Sequence, residues 1–422
     1  MAAQIKRSNK VELTKISSLI ELLTLLRNKK ADIAFLRKQL GHSFWSNIEP
    51  ETSHPTRRIT LTASRAYADL STDLARHCNG LVLEYPSWKV LSVPAGMFDS
   101  SCRLNNVVKN ISKYDVYEIV DGTIVTLYWY NERWNIASTN SWDVGHYQWM
   151  GTKTYQEVFD EACAQYPDFS LDKLDRTKSY TVGFRHSDFH PLLADPQKMW
   201  FVQSCDLTQL NEATKISCST TENIGLPLQP RAVVPTTDVK TWITEKTTKA
   251  LANYTCAVHK GEQPEIYYGL LFRSKVGGQD FMIESELFKT VRGLVYYLPK
   301  RNHPSAATIN AGNRLDYAVL RAYLSNSGKY VFLQLFPQFT AQYAKYDEMF
   351  AGLTKSVVNM LRARRPDRRR SDDKLEMLAI TLSEYIRQNS QVNVMDAQGP
   401  SIVSDFLLNP RHLDLYYTTL FA

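Results

Sequence analysis

Between about residue 58 and residue 284 the chain is a series of short β-rich runs broken by turn residues, and this pattern limits the fold most. Gly80–Tyr85 and Lys89–Val93 are separated by Pro86-Ser87, and Trp134–Thr139, Ser179–Phe184, Met199–Ser204, Ile266–Phe272 and Phe281–Glu284 follow. Tyr114–Tyr130 reads as two strands around Asp121-Gly122, a pair that favours a tight hairpin because both central positions want positive φ. Among these runs only Thr154–Tyr166 reads as helix, so the strands do not alternate with crossover helices and the expected sheet is antiparallel.

The period changes at both ends. Ile16, Leu19, Ile20, Leu23 and Leu26 recur at helical spacing within residues 11–27, and a second helix is expected over 31–40. After residue 304 the β signal mostly stops. Leu315–Leu324, Thr340–Arg364, Lys374–Gln388 and Ser401–Leu408 carry helical periodicity, and Arg365-Pro366-Asp367 breaks the long helix. The chain is therefore expected to divide into an N-terminal helical segment (1–57), an α+β domain (58–303) and an all-helical domain (304–422). With 422 residues it is long enough for two or three domains.

The chain lacks a run of about 18 apolar residues, so no membrane span is expected. The polar stretch Met1–Lys10 has no apolar signal core, which points to a cytoplasmic protein. A net charge of +7 makes only a thin case for a polyanion partner. Cys78, Cys102, Cys163, Cys205, Cys218 and Cys256 show no zinc-like spacing and are expected to be reduced and buried.

Several clusters have two readings each. Arg362, Arg364, Arg365, Arg368, Arg369 and Arg370 can neutralise RNA phosphates, or they form a solvated helix end. His186, Asp188 and His190 have metal-ligand chemistry but no evident fourth donor, and a loop ahead of Pro191 is the expected reading. Tyr128-Trp129-Tyr130 can stack bases, but aromatic residues on strands more often pack the sheet.

An ordered set of elements over residues 70–295 resembles phage-type RNA ligases of the nucleotidyltransferase superfamily. Cys78-Asn79-Gly80-Leu81 is similar to their arginine-glycine strand, and Val93-Pro94-Ala95-Gly96-Met97-Phe98 to their proline and lysine-phenylalanine element. Glu118-Ile119-Val120-Asp121-Gly122 resembles the lysine-x-aspartate-glycine motif, whose lysine becomes linked to AMP. Trp134–Ser141 looks like the next strand and its serine/threonine-rich turn. Tyr180–His186 and Trp200–Leu207 look like the third motif and the strand behind it. Tyr267-Tyr268-Gly269 looks like the fourth motif and Phe281-Met282-Ile283 the fifth. The resemblance implies an α+β, antiparallel-sheet nucleotidyltransferase (ATP-grasp-like ligase) domain with a helical C-terminal domain, and a phage or large DNA virus as source.

The departures concern charge. The family nucleophile corresponds to Ile119, the arginine to Asn79, the lysine before phenylalanine to Met97, the third-motif glutamate to Gly183, the fourth-motif glutamate to Tyr268 and the fifth-motif lysine to Met282. Asp121, Gly122 and Gly269 remain, as a turn needs them with or without catalysis. A phosphoramide needs an amine, which isoleucine and methionine lack. Neither Lys113 nor Lys289 is expected to reach the pocket. The expected function is a catalytically inactive, RNA-ligase-like viral or phage protein that binds RNA or serves structure, through self-association or other proteins, with no cofactor. The alternative is an unconventional ligase using ATP and Mg.

Overall fold

The computed structural model describes residues 16–51, 55–64, 66–98, 104–120, 122–148, 153–186, 198–212, 214–262, 264, 266–275, 279–295, 314–325, 328–362, 374–389, 399–409 and 416. Ser18 starts the first helix for a local reason. Its hydroxyl accepts from the Glu21 N–H while the Glu21 carboxylate accepts from the Ser18 N–H, a reciprocal cap. Helix α1 (Leu19–Asn28) then buries Leu19, Leu22, Leu23 and Leu26. Next come α2 (Ile33–Leu40), β1 (Phe44–Ile48), β2 (Arg57–Ala63), the short α3 (Asp73–His77), β3 (Asn79–Tyr85) and β4 (Lys89–Ser92). The four strands form one antiparallel sheet in sequence order. Ile59, Leu61, Leu81 and Leu83 of this first sheet share a single core with the leucines of α1, α2 and α3.

After α4 (Leu104–Lys109) come β5 (Tyr114–Val120), β6 (Thr123–Tyr130) and β7 (Arg133–Ala137). Here the structure corrects the sequence reading, because β5 and β6 are not a hairpin. Strand β6 pairs with β7 and with β8 (Lys178–Arg185), whereas β5 pairs with β11 (Tyr267–Ser274). Gly122 therefore carries the chain from one sheet to another, and Asp121 lies outside the described residues. The tight hairpin is β6–β7, closed by Asn131 and Glu132, both at positive φ. The second sheet has the order β10–β9–β8–β6–β7, with β9 at Lys198–Asp206 and β10 at Ser217–Ser219. The third has the order β12–β11–β5, with β12 at Phe281–Glu284.

Helix α5 (Tyr155–Cys163) packs Val158, Phe159 and Ala162 on the second sheet. The short α6 (Leu207–Asn211) adds Leu207 and Leu210 to the core of the first sheet. Helix α7 (Val239–Thr248) sets Ile243 against Val116, Leu270 and Phe272 of the third sheet. Beyond it, α8 (Ala250–His259) and α9 (Glu286–Val295) join the core of the C-terminal helices α10 (Arg314–Leu324), α11 (Gly328–Leu335), α12 (Thr340–Arg362), α13 (Lys374–Asn389) and α14 (Gly399–Leu407). Phe332 stacks on Tyr343 there, and Tyr323 on Phe350. The architecture is mixed helix and antiparallel sheet with a helical C-terminal region. Among the described residues, no helix is long and apolar enough to cross a membrane.

Two of the six cysteines depart from the expected reduced state. Cys218 of β10 lies directly opposite Cys205 of β9, and the two are disulfide-bonded. Thirteen residues separate them in sequence, so only the register reveals the pair. Cys78 is buried and free, with its thiol pKa pushed up by desolvation, and Cys256 is free and exposed. Cys102 lies outside the described residues.

A buried arginine ties the first sheet to the second. Arg58 of β2 donates to Glu49 at 2.6 and 3.0 Å, to the Tyr128 hydroxyl at 3.2 Å and to Asn135 Oδ1 at 2.9 Å, over the ring of Tyr130. Tyr128 and Tyr130 are largely buried and pack as sheet-face residues, and Trp129 lies under the Arg176 guanidinium at 4.0 Å. Removing one partner of a buried ion pair strands the other charge. Glu49→Gln is expected to cost about 3 kcal/mol of stability, read by urea unfolding, because the desolvated Arg58 loses its counter-ion.

Candidate functional site

A cavity of about 360 Å³ opens where the three sheets converge. Asn79, Met97, Ile119, Gly122, Tyr268 and Met282, six of the eight pocket positions expected from the sequence, line it together. Of the other two, Asp121 lies outside the described residues and Gly183 sits beneath a lining residue, Trp200.

Each wall has a local cause. Asn79 opens β3 and donates to the Ala95 carbonyl at 3.2 Å. The next residue, Gly80, has φ +102°, and a Cβ there would lie 2.7 Å from the Ser138 carbonyl oxygen, so the close approach of β3 to the end of β7 requires glycine. Met97 is buried, its N–H bonded to the Arg76 carbonyl at 2.9 Å. On β5, Tyr117 and Ile119 face Leu271 and Gly269 of β11, and Leu271 in turn faces Met282 of β12. Tyr268 stacks on Phe288 of α9, with ring centroids 3.8 Å apart.

The floor is an indole. Trp200 of β9 lies directly across from Gly183 of β8, and a Cβ on either Gly183 or Gly122 would overlap its ring. The indole thus fills the space that side chains at both positions would need. A segment between β10 and α7 closes the cavity. Pro227 and Gln229 hydrogen-bond to Phe201 of the second sheet, and Pro230 and Ala232 to Glu118 and Val116 of the third. Gln229 and Pro230 line the cavity, and the Gln229 side-chain oxygen is buried without a hydrogen-bond partner.

The pocket is not wholly apolar, although Met97, Ile119 and Met282 line it. Glu118 and Arg273 also line it. Glu118 faces Leu270, which packs under α7, and its carboxylate is paired with Lys246 of that helix at 2.9 Å. Arg273 stays on the cavity face, opposite Asp115, with its guanidinium 5.2 Å from the centre of the Tyr117 ring. Burial pulls its pKa down, and burial pushes that of the nearby Asp280 carboxyl up. Sequence reasoning missed Trp200, Gln229 and Arg273. The signal for Trp200 was a large aromatic in the strand after a glycine-bearing one, but the pairing register was needed to use it.

No lysine lines the cavity among the described residues. Lys113 sits before β5, where its carbonyl accepts the Lys275 N–H, and Lys289 on α9 pairs with Glu286 at 2.7 Å. His186 is buried and shares a hydrogen bond of 2.9 Å with Glu161, which Lys153 also holds. Asp188 and His190 lie outside the described residues, within which no group of three metal-binding side chains occurs. Arg362 ends α12 exposed, and Arg364, Arg365, Arg368, Arg369 and Arg370 lie outside the described residues.

No protein-family model matches the chain. It is 29% identical over 334 residues to a putative RNA ligase of African swine fever virus from a South African tick, covering 74% of this chain and 73% of that protein. The putative RNA ligase of a Malawian tick isolate is 27% identical over 349 residues, covering 75% and 76%. Among solved structures, an archaeal ATP-dependent RNA ligase is 10% identical with a TM-score of 0.41, covering 91% of this chain and 98% of that one. A Naegleria gruberi RNA ligase mutant with ATP and Mn is 13% identical with a TM-score of 0.29, covering 46% and 58%. Over about three quarters of its length the chain is thus similar to viral proteins named putative RNA ligases.

Gly183→Ala tests the indole floor. The added methyl has to displace Trp200, with an expected loss of about 1–3 kcal/mol in urea unfolding and a shift in tryptophan emission. Unchanged stability and emission would show that the indole does not rest on this glycine.

Proposed function

We propose that this chain is a non-catalytic RNA-ligase-like protein that binds RNA. The observation that carries the reading is Ile119, which lines the cavity where the resemblance places the nucleophile, with no lysine among the described lining residues. A lysyl adenylate forms when an uncharged amine attacks the α-phosphate of ATP and pyrophosphate leaves. An isoleucine side chain has no lone pair for this attack. The described lining residues also fit ATP and magnesium poorly, as they supply one cation, Arg273, against a triphosphate's several charges. RNA binding is the activity most compatible with the family and with the arginine-rich segment 362–370. Such a segment can neutralise phosphates without any chemistry at the cavity.

The test has two parts. Incubated with α-labelled ATP and magnesium, the protein is expected to carry no label on a denaturing gel, and a covalent adenylate would establish the ligase alternative instead. Titrated with single-stranded RNA, it is expected to bind with strongly salt-dependent affinity. Replacing Arg368, Arg369 and Arg370 by glutamine should reduce the log–log salt slope by about two. No binding at low salt would overturn the RNA-binding reading.

A further inference from the structure

Arg273, on the cavity wall, raises a question of charge balance. Its guanidinium is half-buried and makes no hydrogen bond among the described residues. Its contacts are the Tyr117 ring at 5.2 Å and the field of Asp280, which lies beyond ion-pair distance and accepts the Ser274 N–H at 2.9 Å. A second guanidinium, that of Arg231, lies 5.5 Å from the same ring. Arg231 is compensated, since it pairs with Asp115 at 3.2 Å and donates to the Tyr117 hydroxyl. Arg273 thus brings to the cavity one positive charge that makes no ion pair among the described residues.

The other walls define what could accompany an anion there. Trp200 offers an indole over two glycines, Met97, Ile119 and Met282 are apolar, and Gln229 has an amide oxygen with no donor. A flat heteroaromatic ring with N–H groups suits the indole and the amide oxygen. One anionic oxygen pair suits the planar fork of Arg273. A polyphosphate would bring several charges to a single lining cation.

We infer that the cavity holds one nucleotide of a single-stranded RNA, with its base beside Trp200 and Gln229 and its phosphodiester on Arg273. The ligand matches the site in charge, because a phosphodiester within a strand carries a single negative charge, as Arg273 carries a single positive one. A nucleotide also suits a cavity of about 360 Å³. The inference rests on the RNA-binding reading and adds to it a second contact, remote from the arginine-rich segment.

Fluorescence anisotropy of the full chain with a labelled single-stranded oligoribonucleotide tests it, using a dinucleoside monophosphate and ATP as competitors. The dinucleoside monophosphate is expected to compete and ATP to compete less well. Arg273→Met should weaken competition by the dinucleoside monophosphate at least about tenfold. The same variant is expected to melt at or above the parent temperature, since a half-buried cation with no ion pair among the described residues is replaced by an apolar chain of similar length. A purely structural arginine would give the reverse, with lower melting and unchanged competition, and that result would overturn the inference. RNA binding that survives while the dinucleoside monophosphate fails to compete would overturn the pocket site but leave the RNA-binding reading standing. Preferential binding of ATP would also overturn it. No RNA binding in any variant removes both.

Discussion

The arrangement of the cavity depends on one contact, the indole of Trp200 against the bare backbone of Gly122 and Gly183. Gly183 is opposite Trp200 in the β8–β9 register, and Gly122 is where the chain leaves the third sheet for the second. A side chain on either residue would occupy the ring's place. The indole can therefore sit at the junction of two sheets only because both positions lack a Cβ. A large aromatic covering cross-strand glycines is a known way to recover the packing that glycine forfeits. Here it also sets the chemistry of the cavity floor, which is aromatic and uncharged.

Two arginines, Arg58 buried and Arg273 half-buried, show what the fold treats as structure and what it leaves open. Arg58 is surrounded by Glu49, Tyr128 and Asn135, so its donors are used and the first sheet is fixed to the second. Arg273 has an aromatic ring and a distant carboxyl, and no hydrogen bond among the described residues. Desolvating an ion costs several kcal/mol unless partners return it. The satisfied arginine explains the join between sheets, whereas Arg273 is held only by the Tyr117 ring and the field of Asp280 among the described residues. Its place on the cavity face is what makes an anionic ligand the natural account.

Much of the strand content was legible because β-branched and aromatic runs are punctuated by turn residues, and the C-terminal helices because their apolar residues keep a helical period. The misreading at Asp121-Gly122 has a definite cause. Gly122 is glycine for a tertiary reason, the overlap with Trp200, and the same letters serve a hairpin elsewhere. The true hairpin at Asn131-Glu132 was missed because glutamate at positive φ is not a turn signal. The pocket positions could be read only as an ordered set, from Asn79 to Met282. Arg273, Gln229 and the Cys205–Cys218 bond were not legible, since each depends on which residue lies across a sheet or across the cavity.

Backbone and side-chain constraints differ around Ile119. Gly80 and Gly269 are fixed by close approaches, the first to Ser138 and Thr139, the second to the carbonyl of Ile283 at φ +144°. Replacing either would move strands, whatever the cavity does. No such geometric constraint acts on Asn79, Met97 or Met282, whose side chains need only fill space or satisfy a neighbour. The shape of the cavity is therefore set by backbone approaches and does not depend on which side chains stand at Asn79, Met97 and Met282. The sheets hold the walls in place from outside, through Arg58, the Gln229 segment and the core under α7. That frame holds Arg273 as the one cationic side chain among the described lining residues, beside Trp200, Met97, Ile119 and Met282.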